Sequence, residues 1–170
     1  MGIWWFLASE IMLFGGFFAS FIVYRMGSAG WGGEAAHLSV PIAVANTLIL
    51  LTSSLTMVQA FAAAKRSDLR GARRNLFITI ALGLAFLCLK GVEYSLEIGY
   101  GFVPGRAMFW SFYYTMTGLH GLHVLAGVVV NALQLGGGKY KDPARLEAVG
   151  LYWHFVDVVW IFLFPLIYLS

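Results

Sequence analysis

The sequence predicts an all-α integral membrane bundle of five transmembrane helices, forming a single domain over residues 1–170. Three observations predict it. Five stretches each reach the roughly 20 apolar residues that a helix needs to cross hydrocarbon. The chain is 60% hydrophobic and only 11% charged, whereas a soluble domain carries about 25% charged residues, so its solvent is largely lipid. No ten-residue alternating segments recur, which excludes tilted barrel strands.

The elements follow in order. The first span covers about Gly2 to Tyr24, within MGIWWFLASEIMLFGGFF and its continuation. It reads as a retained span and not a signal peptide, because it lacks a basic leader and an A-x-A-like cleavage site. The second covers about Leu38 to Ala63, the third Asn75 to Ile98, the fourth Ala107 to Leu133 and the fifth Val149 to Leu169. The connectors RMGSAGWGGEAAH, KRSDLRGARR, EIGYGFVPGR and QLGGGKYKDPARLEA are short and polar, and glycines in the first, third and fourth argue against regular helix there. Small residues at Gly15/Ala19, Gly16/Ser20 and Thr117/Gly121 have the spacing that lets helix backbones approach in lipid. Asn46 and Ser53 share a face of the second span and can bond to a neighbouring helix. A lone cysteine, Cys88, excludes an intrachain disulfide.

Charge placement sets an expected topology. With five spans, the N-terminus shares one side with the second and fourth connectors. That side holds Lys65, Arg66, Arg70, Arg73, Arg74, Lys139, Lys141 and Arg145, against Arg25 and Arg106 on the other. The positive-inside rule then places the N-terminus in the cytoplasm and the C-terminus outside. Nucleic acid is not an expected partner, since most of the chain has no wet surface to offer.

The ionisable residues inside the spans are the candidate functional groups, because a charge at the bilayer centre costs roughly 2.5–3.5 kcal/mol and needs a partner, a proton or water. At about 1.5 Å of rise per residue, Glu10 lies roughly 12 Å from the cytoplasmic start of the first span. His154 and Asp157 lie about 8 and 12 Å into the fifth, and His120 and His123 about 20 and 24 Å from the outer end of the fourth. The topology therefore brings Glu10, His120, His123, His154 and Asp157 from three helices towards one layer. Lys90 and Glu93, three apart, lie towards the outer end of the third span with Glu97 beyond. They read as a pair at the membrane interface, with Lys90 free to snorkel.

Several chemistries compete for the inner layer. His120/His123 and His154/Asp157 stand at i, i+3, a workable spacing for two metal ligands, but no Glu-x-x-His signature accompanies them and no second Cys is present. A proton-coupled transporter would use membrane carboxylates and histidines, yet five spans do not divide into two equal halves and no helix is visibly broken. The remaining possibility is that the groups satisfy one another, lipid head groups or a partner subunit.

TGLHGLHVLAG (117–127) and YWHFVDVVWIFLF (152–164) resemble the two signature segments of haem-copper oxidase subunit III. FLASEIMLFGGFFASF (6–21) resembles that family's helix with a buried glutamate. SVPIAVANTLILLTSSLT (39–56) is similar to its next helix, and KGVEYSL (90–96) to its Glu-Tyr segment. The resemblance touches all five spans in order. It is closest to the short, five-span bacterial type, which lacks the first two helices of seven-span members; in those members the two extra helices form one wall of a lipid-filled cleft. Lys90 departs from the pattern, standing where a neutral residue such as glutamine is expected.

The resemblance implies a non-redox subunit of a proton-pumping terminal oxidase. It would bind phospholipid, support proton uptake from the cytoplasmic side and stabilise the complex. It implies no catalytic, cofactor-binding or metal-ligating residue in this chain. Haem and copper are expected in the partners, the catalytic subunit I and subunit II, with a larger respiratory supercomplex also compatible. Glu10 matches the family's buried acid, and His120, His123, His154 and Asp157 match its polar positions. The implied location is the bacterial inner membrane. A quinol oxidase or a nitric oxide reductase complex remains open as the host assembly. From another class, a stand-alone transporter or a metal- or haem-binding membrane protein also remains open.

Overall fold

The computed structural model describes residues 2–27 and 38–169. They form five long helices: α1 (Gly2–Gly27), α2 (Val40–Lys65), α3 (Leu69–Gly99), α4 (Met108–Gly136) and α5 (Pro143–Tyr168), with a short 3₁₀ turn at Lys139–Lys141 before α5. All five are long and apolar enough to cross a membrane. Residues 28–37, most of the connector expected to be non-helical, lie outside the described residues.

Two helices begin earlier than their apolar runs suggest, and capping explains both. Asp68 accepts a hydrogen bond from the Gly71 amide at 3.0 Å, which starts α3 at Leu69 and places Arg70, Arg73 and Arg74 on its first turns. The Asp68 carboxyl lies so close to Gly71 that a Cβ there would collide with its oxygen. Asp142 accepts from the Ala144 amide at 3.1 Å, and Pro143 stands at the first helical position, so α5 starts at Pro143. Read as loops, these basic segments are helical ends instead.

The helices pack as a closed ring of four, α2–α3–α4–α5, with α5 returning to α2; α1 lies outside the ring, against α4 and α5. The ring closes tightly around Trp153. Added Cβ atoms at Gly83 of α3 and Gly127 of α4 would lie 2.8 and 2.7 Å from the Trp153 ring. The indole N–H donates to the Ser53 hydroxyl of α2 at 2.8 Å. One side chain of α5 thus joins the other three ring helices. Further along, the Trp160 indole donates to Thr47 of α2 at 3.0 Å.

α1 is held by a single stripe. Leu7, Phe14 and Phe21, seven residues apart, are its buried residues, and the seven-residue spacing keeps them on one face. Phe21 meets Phe112 edge-on at 5.8 Å, and Phe14 meets Phe155 at 6.4 Å. The glycines expected to mediate close packing, Gly15, Gly16 and Gly121, have no neighbour within 4 Å of a built Cβ.

Candidate functional site: buried polar pairs between the helices

Glu10 of α1 and His123 of α4 meet across their helices, Oε2 to Nε2 at 3.0 Å. Each keeps a little exposure, 13% and 16% of its side chain. His123 Nδ1 lies 2.8 Å from the Leu119 carbonyl, one turn earlier. A carbonyl only accepts, so Nδ1 carries a hydrogen and donates to it. The Nε2–Oε2 bond then needs one more hydrogen, supplied either by a protonated carboxyl or by an imidazolium. The ring of Phe14 stands edge-on to His123 at 5.3 Å, and the Tyr152 hydroxyl of α5 donates to the His123 carbonyl at 2.9 Å.

The other groups expected in that layer have other neighbours. His154 Nδ1 lies 2.6 Å from the Ser54 hydroxyl of α2. His120 is fully buried between the rings of Phe86, edge-on at 5.6 Å, and Trp160 at 5.2 Å, and neither of its nitrogens has a hydrogen-bond partner within the chain. Asp157 is also buried. Ser54 lies near it, but neither carboxyl oxygen makes a hydrogen bond of acceptable geometry within the chain. The structure thus brings Glu10 and His123 together, sets His154 and Asp157 near Ser54, and encloses His120 among aromatic rings. Among the described residues, no group of three or more His, Cys, Asp or Glu could hold a metal ion.

Lys90 and Glu93 pair with each other, as their spacing allows, but inside the bundle: Lys90 is 5% and Glu93 1% exposed. The ammonium donates to Glu93 Oε2 at 2.9 Å, to the Tyr168 oxygen of α5 at 2.5 Å and to the Tyr113 oxygen of α4 at 3.3 Å. Both phenols donate onward to Glu93 Oε1, at 2.6 Å from Tyr168 and 3.1 Å from Tyr113. The rings of Tyr94, Tyr113, Trp160 and Tyr168 surround the ammonium with centroids 5.0–5.4 Å away. Snorkelling loses because three acceptors and four aromatic faces lie inside the bundle. Tyr113, Tyr168 and Trp160 were missed as polar-site residues because aromatics in an apolar run read as lipid-facing or core. The signal that could have found them is Lys90 itself, an ammonium in mid-helix that needs acceptors.

Five membrane-spanning helices joined by interhelical polar pairs define the class: a multi-pass α-helical membrane protein. The sequence matches the profile of the family described as "Cytochrome c oxidase subunit III" over residues 1–170. It is similar to "Cytochrome c oxidase subunit 3" of Corynebacterium diphtheriae, 41% identical over 96% of this chain and 83% of the relative. It is similar also to proteins of the same name from Alkalihalophilus pseudofirmus, 36% identical over 99% of this chain and 85% of the relative, and from Thermostichus vulcanus, 37% over 99% and 86%. The chain belongs to the cytochrome c oxidase subunit III family, and is therefore a subunit of an oxidase complex.

Proposed function

We propose that this chain is the non-redox accessory subunit of a proton-pumping haem-copper terminal oxidase, where it stabilises the complex, binds phospholipid and supports proton uptake. It sits beside the catalytic subunit I and subunit II in a bacterial inner membrane, with its N-terminus cytoplasmic. The observation that carries the proton reading is the Glu10–His123 bond, a partly exposed carboxyl–imidazole pair between α1 and α4. Lipid binding is supported by two clefts that flank α1. One, of about 220 Å³, is lined by Phe14, Gly15 and Phe18 of α1 and Phe155, Val159 and Phe162 of α5, among others. The second, of about 320 Å³, lies between Ile3 and Phe6 of α1 and Ala126, Val130, Val149 and Tyr152. Neither cleft exposes polar surface, which suits acyl chains.

Glu10→Gln tests the proton role. The amide keeps the shape and the hydrogen bond to His123 but cannot take or give up the proton. The assembled oxidase is expected in normal yield with full initial activity, and its turnover is expected to decay sooner during sustained catalysis. Sustained turnover equal to wild type overturns the proton role of Glu10.

A further inference from the structure

The Lys90 network lies towards the end of the bundle opposite the α2–α3 turn, and the proposed function makes no use of it. Its bonding is complete. The ammonium has three hydrogens and three acceptors, and the two phenol hydrogens both go to Glu93 Oε1. Each tyrosine accepts from Lys90 and donates to Glu93, so the four side chains depend on one another. They come from α3, α4 and α5, and Trp160, whose ring faces Lys90, extends the connection to α2 through Thr47.

The C-terminal turns of α5 have particular need of such a tie. Pro165 lies inside them and has no amide hydrogen to donate to the preceding turn. Trp160 and Tyr168, on either side of Pro165, both contact the Lys90 ammonium. Towards the other end of the ring, Trp153 is held by Gly83, Gly127 and Ser53 without any charge. The ring therefore has two clasps of different physical kind, one steric and one ionic.

We propose that Lys90 and Glu93 form an obligate, charge-balanced clasp that holds the last turns of α5 against α3 and α4, and that this end of the ring loosens as a unit when the charges are unbalanced. Removing the ammonium leaves a buried carboxylate beside Glu97, itself buried one turn away. Removing the carboxylate leaves a buried ammonium with Glu97 as a remaining acidic neighbour. Removing both takes away the two opposite charges together at similar volume, with Glu97 left as the buried acid at this end. Breaking one half of a buried pair is far more costly than replacing both halves.

The test is hydrogen–deuterium exchange on the purified oxidase complex carrying Lys90→Met, Glu93→Gln or both. Amides of residues 162–169 are expected to exchange at least about tenfold faster in Lys90→Met, because the cost of stranding a buried charge enters the opening equilibrium directly. A smaller increase is expected in Glu93→Gln. The double variant is expected within about threefold of wild type, with residues 144–156 unchanged in all three. The proposal is overturned if both single variants exchange like wild type, if the double variant combines the two single effects, or if faster exchange spreads evenly along α5. Should Lys90→Met fail to accumulate, the double variant decides: accumulation with near wild-type exchange supports the clasp, and failure to accumulate overturns it.

Discussion

Glu10 and Asp157 show how differently two buried carboxyl groups are treated in this chain. Glu10 meets the His123 imidazole across two helices at 3.0 Å. Asp157 has Ser54 nearby but neither of its oxygens is hydrogen-bonded within the chain, and His154, one turn earlier, turns to Ser54. A polar group without a partner contributes nothing that an apolar side chain would not. Asp157→Leu is therefore expected to leave the yield of assembled oxidase unchanged, measured as haem-bearing complex recovered through a tag on this chain. A clear fall in yield would mean that a group outside this chain satisfies Asp157. That Glu10 and Asp157 needed some solution was legible from their depth in apolar runs. Which partner each acquired was not, because the rotation of α4 and α5 about their axes decides it.

At the scale of elements, the helices were legible and their contacts were not. Apolar length announces a span, and the extra turns of α3 and α5 follow from Asp68 and Asp142 as caps. Small-residue spacing pointed to Gly15, Gly16 and Gly121, where an added Cβ would meet nothing within 4 Å, whereas Gly83 and Gly127 receive the Trp153 ring. A glycine marks a permitted close approach, and only the arriving side chain shows whether it is used. Gly127→Ala would place a methyl group 2.7 Å from the Trp153 ring. Overpacking of this kind costs about 1–3 kcal/mol, so the thermal dissociation of the subunit from the oxidase is expected at lower temperature. Gly16→Ala, in open surroundings, is the control expected to leave it unchanged. Equal behaviour of the two variants would refute the clasp around Trp153.

For the whole molecule, the four-helix ring and the outlying α1 create two kinds of surface. The ring buries its polar connections, while α1 presents Trp4, Trp5, Met12 and Val23 outward and borders both apolar clefts. The basic residues of the α2–α3 turn and of the segment before α5 stand at one end of this assembly. The proposed orientation puts that end in the cytoplasm. Ser67→Cys, a near-isosteric change in the exposed α2–α3 turn, should react with a membrane-impermeant maleimide in inverted vesicles and stay unlabelled in intact cells. The native Cys88, exposed on the apolar side of α3, serves as background. Labelling of the Ser67→Cys variant in intact cells, above that background, would reverse the orientation.

By itself the sequence determined that five helices cross a membrane, which segments they use and that the few ionisable groups within them require partners. Those properties follow from local quantities: apolar length and the cost of charge in hydrocarbon. Only the tertiary structure decided that Lys90 points inward to Glu93 and two tyrosines, that His123 and not His120 meets Glu10, and that Trp153 fills the space left by two glycines. These outcomes depend on how each helix is rotated and which neighbour it meets, and spacing along one chain segment carries no information about the segment packed against it.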